Sequence, residues 1–303
     1  VLSIVIPVHN ADVRKLVQDL LYQGQKISVP FEIVLADDAS SEKFRLINSQ
    51  LKELPAVRIF QLPSNIGRSA IRNLLAREAT YTWLLFLDCD SGIPDSSFLI
   101  EYLANTGIEQ VVCGGRFYGK ASENKSEWKL HRKYGIKREQ HPAGIRNKNP
   151  YRSFMTNNFL IHQNIFRLIG GFDEQVREYG HEDTLFGYQL EKKEICLTHI
   201  DNPVEHLELE TNREFIHKSL QAAENLALID KRLKDPGFHQ SVNLLRFHDK
   251  MNASLLNQLS WSFLRPFRGL IRLVLTYLPS LLLLDILKYF RFLETIKRKP
   301  GQS

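Results

Sequence analysis

The sequence predicts an α/β fold: a mostly parallel central sheet with helices on both faces, followed by a helical, amphipathic C-terminal appendage. Three observations predict it. Short apolar strand-type runs alternate with segments of helical period through roughly the first two hundred residues, the pattern of successive strand–helix–strand units. Three of the strands end in polar residues, at His9-Asn10, Asp37-Asp38 and Asp88-Asp90, and ligands of parallel sheets gather at the carboxyl ends of strands. Beyond residue 210 the strand pattern gives way to helical periodicity.

The elements follow in order. Leu2 to Val8 is a continuous apolar strand ended by Pro7 and Asn10. Ala11 to Gln23 carries Val13, Leu16, Val17, Leu20 and Leu21 at helical spacing. Glu32 to Asp38 is a second strand that runs into the turn Asp37-Asp38-Ala39-Ser40. Val57 to Leu62 is a third strand, Arg68 to Ala79 a helix, and Trp83 to Asp88 a fourth strand. Strand side chains alternate with period two, so Asp88 and Asp90 leave one face and Cys89 the other. Two carboxylates so placed form a hard oxygen site suited to Mg²⁺ or Mn²⁺ with a phosphate completing the shell; the competing reading is an acidic turn.

Val111 to Gly115 reads as another strand, and Arg116 to Tyr151 as a long basic loop of functional type with little apolar periodicity. Phe159 to His162 is a short strand, and Gln163 to Ile169 a helix stopped by Gly170-Gly171. Glu182 and Asp183 open an amphipathic helix, where acids often only complement the helix dipole. Ile195 to Ile200 is a strand, and Arg213 to Lys234 one long helix.

Composition bounds the class. At 303 residues, 43% apolar and 24% charged, the chain is globular, with room for one large domain and an appendage. The net charge of +6 fits anionic partners: nucleotide phosphates, anionic lipid or nucleic acid. No nucleic-acid motif accompanies the basic loop, so no nucleic-acid partner is expected. Three scattered cysteines make neither a disulfide framework nor a zinc spacing, which points to a reducing, cytosolic compartment. The sequence enters a strand directly, with no signal peptide visible, and begins at Val1 rather than Met.

Five motifs stand in a telling order: SIVIPVHN at the first strand, DDAS after the second, N-x-G-x-x-x-x-R-N from Asn65 to Asn73, the D-x-D at Asp88 to Asp90, and the pair GGFDE (Gly170 to Glu174) and GHED (Gly180 to Asp183). Together they resemble glycosyltransferase family 2, over about Leu2 to Leu209. The resemblance implies a GT-A fold, Rossmann-like, with a donor half at 1–115 and an acceptor half at 116–210; the helical region at 211–303 is read from its periodicity. It implies inverting transfer from a nucleotide-diphosphate sugar with a divalent cation, Mn²⁺ or Mg²⁺.

Residue by residue, the resemblance assigns the nucleotide-sugar site to Pro7, His9, Asn10, Asp37, Asp38, Asn65, Gly67, Arg68, Arg72, Asp88, Cys89 and Asp90. Arg68 and Arg72 share one helix face. The metal ligands it implies are Asp88, Asp90 and a histidine, matched to His206, with His199 and His181 as substitutes. The base that takes the acceptor hydroxyl proton is assigned to Asp183, with Glu182 on sugar hydroxyls and the two roles exchangeable. Asn157, Asn158, Gly171 and His181 fall where the acceptor and sugar are bound. GGF and GHED are also similar to β-1,4-galactosyltransferases and polypeptide N-acetylgalactosaminyltransferases, which hints at a UDP-linked Gal or GalNAc donor.

The tail from 255 to 299 lies outside the resemblance. Its apolar run is only a dozen residues long and holds Pro279, too short to span a bilayer. Basic and aromatic residues flank it, as in helices lying in a membrane interface; a dimer contact or ordinary core helices are the alternatives. The expectation is a peripheral enzyme on the inner face of the cell membrane, extending a glycan or lipid-linked glycan of a bacterial surface polysaccharide. The competing readings are an inactive scaffold of the same fold, and a sugar-1-phosphate nucleotidyltransferase, whose glycine-rich basic loop PVHNADVRK lacks.

Overall fold

The computed structural model describes residues 1–106, 110–119, 125–176, 179–253 and 265–298. Its strands are β1 (Leu2–Val8), β2 (Phe31–Asp37), β3 (Val57–Gln61), β4 (Trp83–Leu87), β5 (Ser91–Gly92), β6 (Gln110–Cys113), β7 (Arg116–Phe117), β8 (Asn158–His162), β9 (Cys196–His199) and β10 (Val204–His206). Its helices are α1 (Arg14–Gly24), α2 (Glu42–Ser49), α3 (Arg68–Glu78), α4 (Phe98–Ala104), α5 (Lys129–Arg138), α6 (Ala143–Arg146), α7 (Gln163–Leu168), α8 (Glu182–Lys192), α9 (Asn212–Leu233), α10 (Pro236–Ser241), α11 (Asn243–Asn252), α12 (Arg268–Tyr277) and α13 (Leu281–Lys297).

The main sheet runs β3-β2-β1-β4-β8-β6-β9. Only β8 opposes its neighbours, antiparallel to both β4 and β6. Period two divides the strands between two cores. Ile4 and Ile6 of β1 pack with Val13, Val17 and Leu20 beside α1. Val5, Val34 and Phe86 face the other way, onto Ile71 and Leu75 of α3 and Phe186 of α8. Burial on both faces explains why these strands read as unbroken apolar runs. The register sets Val8 beside Asp37 and Asp37 beside Gln61, so the polar ends of β1 and β2 are level.

A second, three-stranded sheet, β5-β10-β7, lies beyond β4. It pairs His206 with Ser91 and Glu205 with Phe117. The Leu207 amide also donates to the Asp90 carbonyl at 3.0 Å. These contacts pin the D-x-D turn to the segment carrying His206.

Two expectations are corrected. The stretch from Arg116 to Tyr151 is not loop throughout: it holds β7, α5 and α6. Helix α5 buries only Leu130, His131 and Gly135, so it has almost no apolar stripe to read. Gly135 is there because a Cβ would fall 2.0 Å from the Tyr118 ring. The second correction concerns the tail. Its start at Leu255, with Trp261, Phe263 and Lys299, lies outside the described residues. Helix α13 is a core element, not a surface-lying one. Tyr289 and Phe292 pack with Leu226 of α9, Leu185 of α8 and Phe238 of α10. Leu284 and Leu287 pack with Phe215 and Ile216 of α9 and Leu130 of α5. Several flanking cations are paired internally: Arg291 and Arg298 both meet Glu224, and Arg268 meets Glu294; Arg138 of α5 grips Asp285 of the tail at 2.6 and 2.9 Å.

Deleting the fully buried Phe292 ring should therefore cost core stability. Phe292→Ala is expected to lower the unfolding free energy by about 3–5 kcal/mol in a denaturant titration. A change below about 1 kcal/mol would mean that α13 is not part of the core.

Candidate active site

The site is built around the first turn of α3. Gly67, at φ 88, opens the helix. Asp38 prepares that turn: its carboxylate accepts from the amides of Ile66 at 2.7 Å and Gly67 at 3.2 Å. Asn65 donates to the Asp38 carbonyl at 3.3 Å, and His9 Nδ1 lies 2.9 Å from the same oxygen. Asp37 accepts from the Ser40 amide at 2.7 Å, while Asn10, at φ 52, exchanges bonds with Ser40 and Ser41. His9, Asn10, Asp37, Asp38, Asn65 and Gly67 thus form one knit rim at the ends of β1 and β2, with half-buried Pro7 in β1 just before it.

Helix α3 then sends three side chains to three different motifs. Arg72, 3% exposed, donates to Asp88 Oδ1 at 2.6 Å. Arg68, one turn earlier, reaches Glu182 Oε1 at 3.4 Å. Asn73 accepts from the Phe172 amide at 2.9 Å and donates to the Phe172 carbonyl and Glu174 Oε1, both at 2.9 Å. The D-x-D, the E-D pair and the GGF turn are therefore fixed by consecutive parts of one helix.

The two acids of the D-x-D differ. Burial pushes the Asp88 carboxyl up, but Arg72, Arg116 and Arg68 outweigh it and hold it below the usual range. Asp90 is raised to about 6, by burial first and then by the charge of Asp88. Its Oδ2 lies 3.3 Å from His206 Nδ1. His206 is itself depressed to about 3, by burial and then by Arg116, so its imidazole is neutral near pH 7. Its Nε2 is buried without a partner. Cys89, assigned to the nucleotide-sugar site in the sequence, packs against the core, and burial raises its thiol to about 12.

Among the described residues no three His, Cys, Asp or Glu side chains stand together as a ligand set. Asp88 is engaged by Arg72, while Asp90 and His206 are adjacent. These two still fit a divalent cation in donor chemistry: a carboxylate whose charge is disfavoured, facing Nδ1 of a neutral imidazole. His199 does not fit, since Arg146 and the Pro150 carbonyl hold both its ring nitrogens, at 2.7 and 3.0 Å.

At the start of α8, Glu182 is buried and its Oε2 has no partner. Asp183 accepts from the Thr184 amide at 2.6 Å. Burial first, and then Glu182, raises Asp183 to about 6. His181, at φ 69, is the N-cap of α8 and lies 3.1 Å from the Thr184 hydroxyl; that places it in the turn before the pair. Asn157 is 2% exposed and neither of its amide atoms has a partner, while its carbonyl accepts from the Asp88 amide.

Two residues expected at the sugar site have other work. Asn158 accepts from the Tyr102 hydroxyl at 2.6 Å and donates to the carbonyls of Gly115 and Asn202, so its side chain is fully committed to the core. Gly171 serves the turn: at φ +71 a Cβ would sit 2.6 Å from Asn73 Oδ1. Residues missed in the sequence are Arg116, 3.7 Å from Asp88, and Glu139 and Tyr118 behind it. Tyr179 is missed too, its ring lying under the Arg68 guanidinium at 4.6 Å. No motif marks them.

A carboxylate-rich cleft at the carboxyl end of a mostly parallel sheet, with a paired acid on a later helix, defines a GT-A glycosyltransferase. Residues 3–172 match the family model described as glycosyl transferase family 2, more than half of the chain, so the chain belongs to that family. A chondroitin synthase of Pasteurella multocida (strain Pm70) is 28% identical over 255 residues, covering 70% of this chain and 26% of that protein. The chain thus spans about a quarter of that relative's length. Among solved structures, the mannosyltransferase PcManGT of Pyrobaculum calidifontis, in complex with GDP-Man and Mn²⁺, superposes with a TM-score of 0.62 at 13% identity, over 97% of this chain and 86% of that one. S. aureus TarS 1-349 in complex with UDP gives 0.51 at 17% identity, over 96% and 89%.

The raised Asp183 makes a stability prediction. Its folded value, about 6, lies above the usual 3.8. Ionisation therefore opposes folding above pH 6, and the cost disappears once both states are protonated, below about pH 4. Asp183→Asn keeps the acceptor for Thr184 and removes the charge. It should unfold several degrees higher than the parent at pH 8, with the gain vanishing near pH 4. An equal Tm at both pH values would show that Asp183 is not held in a disfavoured charge state.

Proposed function

We propose that the chain transfers a sugar, Gal or GalNAc in type, from a UDP-sugar to a hydroxyl of a growing surface glycan, with inversion and with a divalent cation. One observation carries this reading. Arg68 and Arg72, a single helical turn apart, hold Glu182 on one side and Asp88 on the other. That juxtaposes a diphosphate-type site with a carboxylate pair of which one member is tuned to about 6. The related structures were solved with GDP-Man and Mn²⁺ and with UDP, and a related sequence is a chondroitin synthase; these support the donor and acceptor classes.

The mechanism follows from the side chains. Asp183 is ionised above pH 6 and accepts the acceptor hydroxyl proton as that oxygen attacks the anomeric carbon. Glu182, aligned by Arg68, offers Oε2 to sugar hydroxyls. The unpartnered amide of Asn157 can both donate and accept, which suits a sugar. Asp90 and His206 would hold the cation, with Asp88 close by, and when bound it supplies charge neutralisation for the departing diphosphate.

The test is calorimetry with UDP and GDP, with and without Mn²⁺, followed by a transfer assay. UDP is expected to bind in an Mn²⁺-dependent way, and Asp90→Ala or His206→Ala to remove that dependence. Asp183→Asn should keep UDP affinity within a few-fold and lose at least about a hundredfold in transfer, the scale of general base catalysis. No nucleotide binding by the parent, or normal turnover by Asp183→Asn, would overturn the reading.

We also infer peripheral attachment to the inner membrane face, now through α12 rather than the whole tail. No described helix is long and apolar enough to cross a membrane. Leu270, Leu273 and Tyr277 are 58%, 58% and 74% exposed on α12, and Leu278 and Leu282 continue the patch at 66% and 69%. Arg272 is exposed on the same helix, which favours anionic lipid; Arg268, also exposed, is paired with Glu294. In flotation with vesicles containing phosphatidylserine, the full chain should bind, and Leu270→Glu/Leu273→Glu should not while keeping its Tm. Undiminished binding by that variant would move the contact elsewhere.

A further inference from the structure

Asp88 has two arginines beside it but is bonded by one. Arg72 donates to it at 2.6 Å. Arg116 stands on the other side, with Nη2 3.7 Å from Asp88 Oδ2, beyond hydrogen-bond range. Its Nη1 reaches Glu139 Oε2 at 3.3 Å. The Tyr118 hydroxyl donates to the same carboxylate oxygen. Its Nε is buried and has no partner. The side chain is only 14% exposed, so water is a poor substitute for the missing acceptors.

The backbone keeps this guanidinium in place. Arg116 lies in β7, paired with Val204 of β10 in the small sheet. His206 of the same strand packs its ring against Tyr118, centroids 5.4 Å apart. Glu139 holds Arg116 from the end of α5. Nε is left without a partner, and Nη2 meets Asp88 only as a 3.7 Å ion pair; the two form one planar fork next to the D-x-D turn. That geometry matches the oxygens of a phosphate, which a guanidinium binds with two parallel bonds. A purely structural Arg116–Glu139 pair would account for Nη1, but not for the unpartnered Nε or for an Nη2 that stops short of a hydrogen bond to Asp88.

We propose that Arg116 is a diphosphate-binding side chain, positioned by Glu139 and Tyr118, whose Nε and Nη2 take phosphate oxygens of the nucleotide sugar. The inference rests on the nucleotide-sugar reading above. In the transfer, the acceptor oxygen bonds to the anomeric carbon, the bond from that carbon to the phosphate oxygen breaks, and its electron pair leaves on the diphosphate. The acceptor proton goes to Asp183. Arg116 meets the charge that gathers on the leaving group, on the face opposite Arg72.

The experiment compares the full-length parent, Arg116→Gln and Arg116→Gln/Glu139→Gln; the double variant leaves no buried acid unpaired. Each is titrated, in Mn²⁺ buffer, with UDP and with uridine, or with GDP and guanosine if the parent prefers GDP. Calorimetry serves for the diphosphates and ligand-observed NMR for the nucleosides. Both variants should bind the diphosphate ten- to a hundredfold more weakly and the nucleoside within twofold of the parent. Undiminished diphosphate affinity, or an equal loss for nucleoside and diphosphate, overturns the role. If the parent binds neither diphosphate, the nucleotide-sugar reading itself falls, and this inference with it.

Discussion

The Arg72–Asp88 pair is the contact on which the site depends. It joins the end of the central strand β4 to the first turns of α3 in a place almost closed to water. Buried ion pairs of this kind add little net stability, because two charges lose their hydration. What the pair supplies is position. With Arg72 fixed, Arg68 is set one turn earlier toward Glu182, and Asn73 is set against the Phe172 backbone. Neighbouring residues of one helix thereby place the D-x-D, the Glu182–Asp183 pair and the GGF turn.

Two carboxylates in this cleft are raised to about 6, for different purposes. Asp90 is disfavoured by burial beside Asp88, and its neighbour His206 is neutral. A group in that setting gains by meeting a cation. Asp183 is disfavoured by burial beside Glu182, with one oxygen accepting from the Thr184 amide. A group in that setting gains by accepting a proton, which is what a base needs near neutrality. Similar shifts thus lead to different chemistry, because one acid faces a ligand nitrogen and the other stands at a helix start beside a second acid.

Much of this was legible in the sequence where one local pattern sets one local structure. The apolar runs located β1, β2 and β4, and the polar ends located the rim. The reversed direction of β8 was not legible, because side-chain alternation is the same in either direction. Helix α5 was missed because it buries little apolar surface, and Arg116 because its meaning comes from β10, some ninety residues away in sequence. At Asn158 and Gly171 the motif position was legible but the contacts were not: Asn158 is bonded by Tyr102, and Gly171 lies close against Asn73. A motif reports that a residue is required, not which neighbour requires it.

The C-terminal helices pack across the boundary near residue 210. Helix α9 begins with a capping box at Thr211 and Glu214, directly after the segment that carries His206. Its Phe215 stacks on His131, at 4.4 Å, behind the small sheet. One turn further, Lys218 lies over the Tyr179 ring that Arg68 covers from its own side. Asn225 then donates to the Gly180 carbonyl at 2.6 Å, and Ala222 sits where a Cβ on Gly180 would clash. Gly180 therefore has to be glycine for two reasons, its φ of +99 and the closeness of α9. The turn that presents Glu182 and Asp183 is shaped by this helix. Because α13 is packed against α9 in turn, the orientation of the Glu182–Asp183 pair rests on the C-terminal helices as well as on the sheet.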